Sequence, residues 1–206
     1  MSVIPRRGNV DKKYRIAAAI LIGGRSSRMG SPKENLIIRG DGRTFLDRMC
    51  DEVDNCFGKC LCGRYLSVRK GQSGKRDGYM SFEDKYDDIG PLGGLVSVLS
   101  KAASDGCDAV LLLACDMINY TDREIMRICA GYEGQDILFA RTDGRDIQPL
   151  ASIYSTGMKE AAAKMAGAGD HRMRNLMAAA ESVGYYDAKD AGAYTNVNTP
   201  EDAALS

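Results

Sequence analysis

Short apolar runs alternate along the chain with longer segments in which apolar residues recur every three or four positions. Runs of strand length fall at 16–22, 109–114, 136–140 and 148–154, and a weaker one at 60–66. Residues 44–57 read as a helix with Phe45, Leu46, Met49 and Val53 on one face. Two more helices are expected at 93–103 and 121–130, the latter with Thr121 at the N-cap and Glu124 three residues on. Thr199 followed by Pro200, Glu201 and Asp202 predicts a further helix start near the C-terminus. Alternating strands and helices predict an α/β fold with a mostly parallel sheet covered by helices. The Gly-, Lys-, Arg- and Ser-rich stretch at 68–79 reads as an exposed loop, and so does 167–174. No repeat and no linker breaks the pattern, so one domain is expected over 15–206, after a disordered lead-in at 1–14.

Composition removes several function classes. Lys plus Arg and Asp plus Glu balance at 28 each, so no global field favours nucleic acid or a membrane surface, and anions must be bound by local placement of charge. No run approaches the ~18 apolar residues of a membrane span, and residues 1–14 lack the apolar core of a signal peptide. Seven cysteines, at 50, 56, 60, 62, 107, 115 and 129, include no C-x-x-C pair, and His171 is the sole histidine, so the usual zinc spacings are absent. Cys107, Cys115 and Cys129 read as small buried hydrophobes. Cys56, Cys60 and Cys62 lie closer together, which leaves a metal or redox role as the alternative to reduced thiols in a cytoplasmic protein.

The densest chemistry follows the first strand. The apolar run ends at Gly23 and Gly24, and a polar loop then carries Arg25, Ser26, Ser27, Arg28 and Lys33. Adjacent glycines let backbone N–H groups converge on anionic oxygens, so this reads as a phosphate cradle. It is not a P-loop, because Glu34 follows Lys33, nor G-x-G-x-x-G, because the glycines are adjacent. A nucleoside triphosphate is the expected ligand.

Four further clusters carry candidate residues. Glu83 and Asp84 end a strand before Gly90-Pro91-Leu92-Gly93-Gly94-Leu95; a carboxylate there suits a ribose hydroxyl or a metal, unless it belongs to a solvated acidic loop. Asp116 ends an apolar strand on the side where open α/β sheets bind ligands, and beside a polyphosphate it suits Mg²⁺. Its alternative role is a helix N-cap. Arg145 and Gln148 lead into a strand, either facing an acceptor substrate or simply starting an edge strand. Asn196 and Asn198 point the same way if extended, near a helix N-terminus that favours anions.

Together these motifs resemble one family. L-x-G-G-x-S-x-R-M-G-x-x-K is matched at every fixed position over 21–33, with G-P-L-x-G-L at 90–95, Cys115-Asp116-Met117, and N-V-N-T-P-E at 196–201. The chain is similar, over roughly 15–205, to the molybdenum cofactor guanylyltransferases. The resemblance implies a single three-layer α/β/α domain with a Rossmann-like, nucleotide-diphospho-sugar transferase-like sheet. It implies guanylyl transfer from GTP to molybdopterin with Mg²⁺, and transient contacts with cofactor-insertion proteins. By similarity, Leu21, Ile22, Gly23 and Gly24 line the nucleoside, Arg28 and Lys33 serve the phosphates and catalysis, and Asp84 lies near the nucleotide. Asp116 holds Mg²⁺, and Gln148, Asn196 and Asn198 lie on the acceptor side.

Three departures stand out: Ile22 where relatives have alanine, Ile118 where they have proline, and Cys62 and Arg64 where a purine-contacting polar residue is usual. An acceptor phosphate is already ionised at neutral pH, so no general base is needed, and His171 reads as a surface residue. The rivals are a cytidylyltransferase acting on molybdopterin or a sugar or polyol phosphate, against which the Gly23-Gly24 pair favours guanine, and a non-catalytic nucleotide-binding regulator.

Overall fold

The computed structural model describes residues 14–22, 33–72, 74–86 and 89–197. One sheet runs through them. Its strands are β1 (Ile16–Leu21), β2 (Leu61–Val68), β3 (Met80–Glu83), β4 (Ala109–Ala114), β5 (Ile137–Thr142), β6 (Asp146–Ser155) and β7 (Val183–Asp187). The spatial order is β3-β2-β1-β4-β6-β5-β7, and β6 alone runs against the others. Among the described residues four α-helices cover it: α1 (Phe45–Cys56), α2 (Pro91–Ser104), α3 (Asp122–Ala130) and α4 (Lys159–Gly167).

Alternation along the central strands builds two cores. Ile16, Ala18 and Ile20 of β1 join Leu111 and Leu113 of β4 under α1 and α3. The intervening Ala17, Ala19 and Leu21 join Val110 and Leu112 under α2 and α4. A strand buried on both faces must be apolar throughout, which is why β1 and β4 read as continuous runs. The fold is therefore the expected three-layer α/β/α with a mostly parallel sheet. Among the described residues no helix is long and apolar enough to cross a membrane.

Several local expectations need revision. Thr121 stands at the N-cap of α3 but makes no side-chain cap bond. The Asp122 N–H donates instead to Glu52 Oε2 on α1, at 2.6 Å. Glu124 is unavailable for a capping box, because it accepts from Arg127 (2.6 Å), Tyr186 (2.9 Å) and Tyr194 (3.1 Å). The 68–79 stretch is only partly exposed. Arg76 pins it to α1 through Asp47 at 2.8 Å and Asp51 at 2.5 Å, and the Tyr79 hydroxyl donates to the Cys50 carbonyl at 2.9 Å.

Two elements add to the sequence reading. α4 buries only alanines, Ala162 and Ala166, on its inner face, a stripe too weak to stand out. β7 is an edge strand with no fully buried residue. Residues 1–13 and the helix expected from Thr199 lie outside the described residues. Tyr14, at the boundary, is anchored: its hydroxyl donates to the Glu133 carbonyl at 2.7 Å and its ring meets Tyr132 edge-on.

Candidate active site

β1, β2, β3 and β4 all end on the same edge of the sheet, and the candidate residues gather there. Asp116 lies two residues beyond β4, and the neighbouring backbone closes in from both sides. The Cys115 N–H donates to the Leu21 carbonyl at 3.3 Å, and the Val197 N–H donates to the Asp116 carbonyl at 2.9 Å. The second bond brings the exposed Asn196 beside Asp116, although the two lie 80 positions apart in sequence. Val197 also packs with Ile118, Ile38 and Phe45 in a small separate cluster. Ile118 thus fills this cluster.

Lys33 enters from a 3₁₀ turn, Lys33–Asn35, and its Nζ lies 2.9 Å from Asp116 Oδ2. Both side chains are largely but not wholly covered, at 21% and 15% exposure. Oδ1 of Asp116 is buried, and among the described residues it accepts no hydrogen bond. A carboxylate oxygen left in that state costs free energy unless a ligand satisfies it. The Cys115 thiol behind it is raised by burial, and further by the Asp116 and Glu34 carboxylates, so it stays protonated.

Glu34 was not foreseen. A glutamate directly after the cradle lysine offers no apolar or spacing signal, yet it is 3% exposed. Its Oε1 accepts from Gln72 Nε2, which also reaches the Ile22 carbonyl at 3.5 Å. Gln72 therefore ties the β2–β3 loop to the end of β1 and to the turn carrying Lys33. Ile22 is buried as expected. Gly74 makes room for it: a Cβ there would lie 2.5 Å from Ile22 Cδ1.

Asp84 sits one residue past β3, its N–H donating to the Val68 carbonyl at 2.8 Å. The buried Ser67 hydroxyl donates to its Oδ1. The G-P-L-G-G motif explains this closeness. Gly90 caps α2 at φ +69, Pro91 opens the helix, and Gly94 lets it lie against β1 and β2. A Cβ on Gly94 would stand 2.7 Å from Leu21 Cδ2 and 2.9 Å from Ser67 Oγ. From β3 to β4 is three strand spacings, about 14 Å, which sets the lateral separation of the strand ends that carry the two carboxylates.

Gln148 extends β6 past the end of β4, whose Leu113 pairs with Ala151, and its Nε2 donates to Thr142 Oγ1 at 3.1 Å. It lies on the ligand edge, beyond Asp116 in strand order. The backbones of Leu21 and Ile22 are engaged within the sheet, where the Ile22 N–H donates to the Ser67 carbonyl at 3.0 Å. Gly23, Gly24, Arg28 and Asn198 lie outside the described residues. His171 is exposed. Cys62 and Arg64 stand at the opposite end of β2, so neither reaches the nucleotide edge.

Among the described residues no three His, Cys, Asp or Glu side chains converge as a metal cage. Mg²⁺ is commonly held by one or two carboxylates together with substrate phosphates, and the Asp116 oxygen that accepts no hydrogen bond among the described residues fits such a role.

The family described as MobA-like NTP transferase domain matches residues 18–183. A protein of Deinococcus radiodurans named probable molybdenum cofactor guanylyltransferase is 29% identical over 194 residues, 92% of each chain. The crystal structure of molybdopterin-guanine dinucleotide biosynthesis protein A from Archaeoglobus fulgidus is similar with TM-score 0.73 at 17% identity, covering 91% of this chain and 94% of that one. A Mycobacterium tuberculosis protein, Rv0371c, solved in complex with manganese, has TM-score 0.63 at 16% identity over 86% of this chain and 89% of its own.

Proposed function

This chain belongs to the MobA-like NTP transferase family and is a nucleotidyltransferase, and from that premise we propose that it transfers GMP from GTP to the phosphate of molybdopterin, releasing pyrophosphate. The observation that carries the reading is the Lys33–Asp116 pair at the ligand edge, with the second Asp116 oxygen accepting no hydrogen bond among the described residues. The name carried by the Deinococcus relative supports the choice of substrates.

In the reaction an oxygen of the acceptor phosphate attacks the α-phosphorus of GTP. The bond from that phosphorus to the bridging oxygen breaks, and pyrophosphate leaves with the electron pair. The nucleophile is already ionised, so the protein supplies positioning and charge rather than a base. Lys33 offsets the repulsion between two anionic substrates, with Arg28 from the preceding loop as a second cation. Mg²⁺, held by Asp116, would neutralise the triphosphate. Asp84, fixed by the Ser67 hydroxyl, accepts from the nucleoside, while Gln148, Asn196 and Asn198 are assigned to the acceptor.

The test is pyrophosphate release from GTP and from CTP in parallel, each with molybdopterin as acceptor, using wild type and Asp116→Asn. GTP should be preferred, and Asp116→Asn should fold normally but lose most activity, partly regained with Mn²⁺. Preference for CTP would make the chain a cytidylyltransferase. Binding without pyrophosphate release from any nucleotide would make it a regulator.

A further inference from the structure

We propose that Cys62 and Cys107 form an oxidisable dithiol that takes a peroxide and closes to a disulfide. The two residues are 45 positions apart in sequence, yet their sulfurs lie 3.5 Å apart. This places Cys62 away from Cys56 and Cys60, its neighbours in sequence.

A β-bulge makes the approach. Ile16 pairs with Leu61 and Ala17 with Gly63, so Cys62 is the extra residue on β2, without a partner on β1. Bulges re-aim the side chain they displace. Leu61 points into the core under α1, whereas Cys62 meets Cys107, which belongs to the core under α2. Cys107 is held just ahead of β4, where its N–H donates to the Ala102 carbonyl at 2.9 Å.

The chemistry is divided between an accessible and a shielded sulfur. Cys62 is exposed and Cys107 is buried. Both line a cavity of about 510 Å³ together with Arg15, Arg64 and Tyr65, which is ample for a peroxide. The thiolate is the attacking form of a cysteine, and Cys62 is the sulfur a peroxide can reach, so Cys62 attacks first. Its sulfur bonds to one peroxide oxygen, the O–O bond breaks, and water or an alcohol leaves. The Cys107 sulfur then attacks the sulfenic sulfur. An S–S bond forms, the S–O bond breaks, and a second water departs with the Cys107 proton. Two thiols are oxidised and one peroxide is reduced. The sulfurs need to close from 3.5 Å to about 2.05 Å.

The pair lies at the N-terminal ends of the strands, opposite the edge that carries Asp116. The bond would close a loop containing β2, β3 and α2. Constraining a loop of that length should raise the melting temperature by about 5–10 °C.

The experiment treats the reduced full chain with stoichiometric hydrogen peroxide. It then counts free thiols, maps peptides by mass spectrometry and records melting curves before and after dithiothreitol. The expected result is loss of two thiols, a cross-linked peptide pair holding Cys62 and Cys107, and a higher melting temperature that dithiothreitol reverses. Cys62→Ser, a change at an exposed position, should fold normally and abolish all three. Oxidation that stops at a sulfinic Cys62 with Cys107 free would overturn the proposal. So would cross-linking confined to Cys56, Cys60 or Cys129, or an unchanged response in Cys62→Ser.

Discussion

Replacing Gln72 with leucine tests whether one side chain holds the turn that presents Lys33. Leucine nearly preserves volume but cannot donate, so Glu34 Oε1 loses the Gln72 amide and the Ile22 carbonyl loses its longer contact. Glu34 is 3% exposed, so water does not readily replace the lost donor. Leaving a buried acceptor unpaired costs about 1–3 kcal/mol, and a charged one lies at the upper end. For a chain of this length that is a fall of roughly 2–12 °C in melting temperature. Urea unfolding should show a lower midpoint with an unchanged slope. The double variant Glu34→Leu/Gln72→Leu removes donor and acceptor together and should recover most of the loss, because matched removal is nearly neutral. Turnover of Gln72→Leu should fall as well, since Lys33 precedes Glu34 in the same turn. Stability of Gln72→Leu within about 0.5 kcal/mol of wild type, or a double variant as unstable as the two single changes summed, would refute the reasoning.

Lys33→Ala should fold normally and lose about 10²-fold in turnover, near 3 kcal/mol; near-wild-type turnover at saturating GTP would remove Lys33 from the phosphate site. Gly94→Ala places a methyl 2.7 Å from Leu21 Cδ2 and 2.9 Å from Ser67 Oγ. It should cost about 1–3 kcal/mol in urea unfolding and raise KM for the nucleotide, because Ser67 holds Asp84. Burial raises the Asp51 carboxyl, but hydrogen bonds from Arg43 and Arg76 outweigh it and hold the group below its ordinary 3.8. A depressed carboxyl contributes stability that is present above that value and lost as pH falls through the folded one. Asp51→Asn should therefore lower stability at neutral pH and flatten its decline in acid; an unchanged acid profile would discount the Arg76 anchor.

The parts legible in the sequence share one property, that their signal is local. β1 and β4 are buried on both faces, so their apolar runs mark them directly, and α1 shows its stripe in Phe45, Leu46, Met49 and Val53. Asp116 was legible because a single carboxylate ends such a run. α4 and β7 escaped notice because alanines and a half-exposed edge carry little periodic contrast.

Local pattern is enough for the alternation of strands and helices, the three-layer arrangement that buries it, and the edge on which Lys33, Asp84 and Asp116 stand. Those follow from hydrophobic period and from motif spacing, which act over a few neighbouring residues. Long-range packing sets the rest: Lys33 pairs with Asp116, Gln72 secures a buried Glu34, Val197 binds the Asp116 backbone, and Cys62 faces Cys107. Each of these joins residues at least 38 positions apart, through a loop or a bulge whose path depends on what it packs against. A buried polar atom takes whichever partner the folded chain brings within reach, and no local pattern records that choice.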